Sequence, residues 1–157
     1  MKAAFLKYIL LALILLFTIL SCSNKNEAAK QESTKTAQVT VPQNIPDTHL
    51  VVYYFLTNQR CKSCIYLENT TKASLDQNFS HELKIGNIIF KTVNIDEPQN
   101  KHFIDEYGLF TKSVIVSSME KGVQIKWKNL DKIWDLIGQD EVYKAYITSE
   151  IKTFIKS

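Results

Sequence analysis

The chain has few of the residues on which several kinds of site depend. Its 157 residues hold only four glycines, three cysteines and three histidines. Without a G-x-G-x-x-G run there is no loop to cradle a dinucleotide's phosphates, and nothing points to a flavin site. One Cys-x-x-Cys pair stands alone, with no second pair and no His-x-x-x-His. His49, His81 and His102 are scattered, so a four-ligand zinc site lacks its ligand set. Charge of one sign is missing too. There are 19 basic against 16 acidic residues, or 17 against 16 without Lys2 and Lys7. No segment carries a basic stripe, so nucleic acid is not an expected partner.

One long apolar run exists, from Tyr8 to Leu20 behind Lys2 and Lys7. It is too short to span a bilayer comfortably and has the layout of a secretory leader. Its end, Ile19-Leu20-Ser21-Cys22, resembles a bacterial lipobox. That resemblance implies a signal peptide over 1–21 and Cys22 as the first mature residue, carrying the lipid. The alternative is an uncleaved anchor helix. Either way the rest of the chain is expected outside the cytoplasmic membrane and tethered to a bilayer, where disulfides persist. Ser23 is not the aspartate that marks inner-membrane retention in enterobacteria, which favours the outer membrane. With Cys22 used for the anchor, Cys61 and Cys64 remain as an even pair.

Residues 23–47 contain almost no large apolar side chains and cannot repay the entropy of ordering. With Cys22 they are expected to form a tether reaching roughly 25–30 Å on average. The folded domain is expected over 48–157. His49–Leu56 is a continuous β-branched and aromatic run, the pattern of a strand buried on both faces. A helix is expected from Cys61, with Cys64, Leu67, Thr71, Leu75 and Phe79 on one stripe. Ile88–Ile95 reads as a second strand. Asp96 offers a cap to a helix running to Tyr107 and closed by Gly108. Ser113–Met119 and Val123–Trp127 form a hairpin around Glu120-Lys121-Gly122. Asn129 or Asp131 is expected to cap a short helix ending at Gly138. Asp140 opens a last helix with the stripe Tyr143, Ile147, Ile151, Phe154. Trp127 and Trp134 are expected to close one end of the sheet as core. The order β-α-β-α-β-β-α predicts a mixed four-stranded sheet between helices.

This places the cysteines at the carboxyl end of the first strand, where the chain turns into a helix. The first-turn amides of a helix have no intrahelical partners, and its dipole favours negative charge. A cysteine there has a lowered pKa, and the thiolate is the reacting form. Arg60 and Lys62 add positive potential. Cys61 is the expected attacking sulfur, and Cys64, one turn on and facing inward, the resolving one. Glu68 offers a proton acceptor for the inner thiol. Its plainer reading is a surface pair with Lys72.

This arrangement resembles the thioredoxin fold, an α/β/α sandwich, over roughly residues 48–157. YYFLTNQRCKSCIYLENTTKASL and WKNLDKIWDL together resemble a family of small bacterial thioredoxin-like lipoproteins labelled "nitrophenyl-compound nitroreductase subunit". The resemblance implies a thiol–disulfide oxidoreductase with no cofactor beyond the Cys61–Cys64 disulfide. It implies protein thiols and disulfides as substrates, a membrane redox protein as a further partner, and a place on the periplasmic side. It also implies that Thr111, Lys112 and Ser113 contact the partner's backbone, in the loop where thioredoxins have a cis-proline. No proline stands there, and a trans bond is expected, because a non-proline cis bond costs about 3 kcal/mol. Phe55 occupies the place of the buried thioredoxin carboxylate. Two other uses of the pair are open. One is a Cu(I) or other soft-metal chaperone with His81 or His102 as third ligand. The other is a non-catalytic binding subunit or a plain structural bridge.

Overall fold

The computed structural model describes residues 45–157. The leader, Cys22 and most of the tether lie outside these residues. The strands and three of the helices follow the order that the hydrophobic pattern predicts, with α2 as an addition: β1 (Thr48–Leu56), α1 (Lys62–Asn78), α2 (Ser80–Ile85), β2 (Ile88–Asn94), α3 (His102–Tyr107), β3 (Ser113–Glu120), β4 (Val123–Asn129) and α4 (Asp140–Lys156). The strand order is β2-β1-β3-β4. β1 runs parallel to β2 and antiparallel to β3, which pairs antiparallel with β4. This is a mixed four-stranded sheet with flanking helices, a thioredoxin-like α/β fold.

β1 is central, and its alternation feeds two cores. Leu50, Val52 and Tyr54 join Leu67 and Leu75 of α1 and Tyr143, Ile147, Ile151 and Phe154 of α4. Val51, Tyr53 and Phe55 face the opposite way, onto Tyr107 and Leu109. The stripe expected on α4 is wholly buried. On α1 the buried set is wider than expected and includes Thr70 and Ser74. Thr71, a poor helix former, earns its place through a 2.7 Å hydrogen bond with the buried Tyr143 hydroxyl, and tertiary packing overrides propensity. Ser74 Oγ donates to Lys144 O at 3.2 Å and ties α1 to α4 a turn further on.

Several boundaries differ from expectation. Phe79 is buried, but as the last cap of α1, and the short α2 follows it directly. Asp96 does not cap a helix. A 3-10 turn, Pro98–Asn100, begins after Glu97, and α3 starts only at His102. Gly108 closes α3 at φ 59°, where a side chain would be strained. Glu120 belongs to β3 and pairs with Val123, so the hairpin turns on Lys121 and Gly122 alone, both with positive φ (50° and 81°). Neither Asn129 nor Asp131 caps the segment after β4. It is a 3-10 turn, Asp131–Trp134, entered from Leu130. Trp134 packs on the larger core, whereas Trp127 stays 42 % exposed against the edge of Tyr107.

Buried phenols make the fold sensitive to alkali. Burial pushes Tyr54 up to about 12, with the Glu68 charge adding to the effect and Arg60 opposing it. Burial also raises Tyr143 and Tyr107 above the usual phenol range. The unfolded chain loses these protons near 10, so their contribution is intact below about pH 10 and is lost as pH rises toward 12. Urea midpoints should hold steady from pH 8 to 9.5 and then fall. Tyr54→Phe should flatten that decline, and an unchanged slope would refute the assignment.

Candidate active site

Residues 57–60 carry the chain from the end of β1 to Cys61, the residue that caps α1. Cys61 has extended backbone (φ −112°, ψ 165°), and its Sγ accepts the Cys64 N–H at 3.1 Å. The sulfur therefore sits on an amide that the helix leaves without a partner. No acidic residue lies in the first turn of α1 to oppose the dipole. Cys61 is exposed and Cys64 is only 1 % exposed. The two sulfurs form a disulfide, with Cα atoms 5.0 Å apart. The fully buried Tyr54 hydroxyl donates to Cys64 O at 2.7 Å, fastening the head of the helix to the central strand.

The other residues singled out in the sequence are only partly gathered here. Arg60 forms an ion pair with Glu68, and Thr92 Oγ1 donates to the same carboxylate at 3.3 Å. The Glu68–Lys72 pair does not form, because Lys72 reaches forward to Asp76 at 2.6 Å. Lys62 is exposed and makes no ion pair among the described residues. Phe55 fills its place with an aromatic cluster of Tyr53, Phe103 and Tyr107, ring centroids 5.2–5.5 Å away.

Ser113 pairs with Phe55, so the loop before β3 lies at the same end of the sheet as Cys61. Its peptide bonds are trans. Two of its carbonyls already have donors: Lys112 O accepts Trp134 Nε1–H at 2.9 Å, and Thr111 O accepts Ser113 Oγ at 3.0 Å. At the tip, Phe110 is 93 % exposed. The histidines are elsewhere. Nδ1 of His49 lies against Pro46 O and Nδ1 of His102 against Gln99 O, both at 2.9 Å. Among the described residues, no three His, Cys, Asp or Glu side chains gather as a metal site. Neither His81 nor His102 therefore joins the two sulfurs.

Sequence reasoning missed the support of the connecting loop. Asn58 N–H donates to the Asp96 carboxylate at 2.7 Å, and Asn94 Nδ2 donates to Asn58 Oδ1 at 2.7 Å. The Asp-x-Pro pattern pointed Asp96 toward a helix start, and no local signal links it to a residue 38 positions earlier.

No family model and no curated protein matches the chain. Solved structures do. A Fasciola hepatica thioredoxin is 16 % identical with a TM-score of 0.36, over 62 % of this chain and 81 % of that one. Thioredoxin f2 of Chlamydomonas reinhardtii is 20 % identical with a TM-score of 0.36, over 63 % and 83 %. At this level the likenesses add nothing to what sheet order and strand directions establish.

The exposure difference sets an order of reaction. In the reduced chain at pH 7, iodoacetamide should modify Cys61 several-fold faster than it modifies glutathione, and Cys64 only after unfolding. Peptide mass spectrometry reads both. Equal labelling of the two cysteines would contradict the geometry.

Proposed function

We propose that the protein is a membrane-tethered, extracytoplasmic thiol–disulfide oxidoreductase. The single observation that carries the chemistry is the exposed Cys61 sulfur on the Cys64 amide at the head of α1, bonded to a buried partner. In the reducing direction the Cys61 thiolate attacks one sulfur of a substrate disulfide. The substrate S–S bond breaks, the departing thiolate takes a proton, and a mixed disulfide forms through Cys61. Cys64 gives up its proton and attacks Cys61, the mixed disulfide breaks, and the second substrate thiol leaves. The substrate gains two electrons and the pair is left oxidised. A dithiol donor, such as a membrane redox protein, then reduces it. The oxidising direction is the reverse sequence.

Glu68 stands one helical turn after Cys64, where it faces Arg60 and accepts from Thr92 Oγ1, and in this reading its carboxylate takes the Cys64 proton. Lys62 and the loop Thr111–Ser113 would meet the substrate, with Phe110 as its apolar contact. The tether reading rests on the lipobox at Cys22 and the polar composition of 23–47. The nitroreductase-subunit label of the resembling lipoproteins gains no support from the comparisons and is not part of this reading.

The reduced chain should reduce insulin, and Cys61→Ser should abolish this. Cys64→Ser should instead accumulate mixed disulfides with natural substrates, separable on non-reducing gels. Absence of both insulin reduction and trapped species would remove the proposal in favour of a bridge or a binding role. The location has its own test, since Cys22→Ser should move the protein from the membrane fraction to the soluble one.

A further inference from the structure

Resting on that reading, we propose that Asp96, Asn58 and Asn94 form a positioning clamp that keeps Cys61 at the helix head after the disulfide opens. The clamp thereby sets how readily the pair closes again. The chain reaches Cys61 through residues with no regular structure; Arg60 is tied by its side chain to Glu68, and Asn58 is the residue whose backbone amide is held by another element. Asn58 donates its amide to Asp96 at 2.7 Å and accepts Asn94 Nδ2 at 2.7 Å. The brace is itself cross-tied, because Asp96 N–H donates to Asn94 Oδ1 at 3.1 Å. Asn94 O accepts Asn100 Nδ2 at 2.9 Å, and Ile95 N–H donates to Leu56 O at 2.9 Å. The end of β2 and the turn after it thus grip the loop on the amino side of Cys61, while α1 fixes the carboxyl side.

In the oxidised protein the S–S bond holds Cys61 beside Cys64, together with the Cys64 amide on its sulfur and the Ile65 amide on its carbonyl. Once it opens, the loop decides whether the Cys61 sulfur stays on the Cys64 amide or swings into solvent. A loose loop has two consequences. The thiolate loses its amide, so Cys61 becomes less acidic and slower at neutral pH. The two thiols also lose effective concentration, and because this outweighs the lost stabilisation of the reduced thiolate, the disulfide forms less favourably and the couple becomes a weaker reductant. A clamp that served stability alone would move neither quantity.

The experiment compares the full chain with Asp96→Ala and Asp96→Asn. Three quantities are measured: the pH profile of iodoacetamide labelling at Cys61, equilibrium against glutathione, and Asn58 amide hydrogen exchange in the reduced state. Asp96→Ala should raise the apparent thiol pKa and cut the equilibrium constant for closing the pair by up to about tenfold, or about 30 mV toward less negative potential. Asp96→Asn keeps an oxygen acceptor for the Asn58 amide and should restore most of both. If Asp96→Ala lowers the unfolding midpoint but leaves labelling and potential as in the parent, the clamp is structural only and the proposal is overturned. If the parent Cys61 itself labels no faster than glutathione, the exchange reading fails. The clamp is then judged by Asn58 exchange, which Asp96→Ala should speed; unchanged exchange overturns it.

Discussion

The whole site depends on one contact, the Cys64 amide donated to the Cys61 sulfur at the start of α1. A helix leaves its first amides without partners, and something must accept from them. Here the acceptor is the sulfur, held in extended backbone in the cap position that Ser, Thr, Asp or Asn usually occupy. A thiolate uses that position better than a thiol, because a hydrogen bond to an ion is roughly twice as strong as one between neutral groups. The fold's task is to bring the end of a strand and the start of a helix to one point and keep them there. Tyr54 does this from beneath through Cys64 O, and β1 does it by being buried on both faces.

The two-sided burial of β1 also explains where flexibility is absent. Its alternate residues belong to different cores, so a register slip would exchange the contents of both. The larger core fixes α1 against α4 through Thr71–Tyr143 and Ser74–Lys144. The aromatic cluster on the other face holds α3, which precedes the loop that leads to Ser113, against β1. Both walls of the site are thus anchored to the same strand.

How much of this was legible in the sequence follows from the range of each interaction. Apolar periodicity is a local signal and survives in the stripe of α4 and in the continuous run of β1. Cysteine spacing and the strand-to-helix junction are local too, and they located Cys61 and Cys64. Two of the failures are places where a polar side chain chose between a near and a far partner. Glu68 had Lys72 four residues on, yet it pairs with Arg60 eight residues back. Asp96 sat before a Pro-containing turn, yet it serves Asn58. Trp127 had the size of a core residue, but on edge strand β4 it stays well exposed beside Tyr107. Capping rules describe what a residue can do locally, and tertiary geometry selects among the options.

The Arg60–Glu68 pair bears on which force holds the sulfur's charge. Neighbouring cations were expected to favour the thiolate, but the nearest guanidinium already faces a carboxylate, so the two largely cancel at a distance. Both groups are partly exposed, and exposed ion pairs contribute about 0–1 kcal/mol. A charge-assisted hydrogen bond contributes about 1.5–3 kcal/mol, and the helix dipole adds about 0.3–1 kcal/mol at a surface site. On the proposed reading, the backbone amide is therefore the dominant influence on a Cys61 thiolate and the Arg60–Glu68 pair a minor one. A mechanism built on the amide tolerates salt, because a contact at 3.1 Å is not screened as separated surface charges are. It is also intolerant of geometry, since the bond weakens steeply once the N–H no longer points at the sulfur. That intolerance gives physical sense to bracing a short exposed loop with three interlocked side chains.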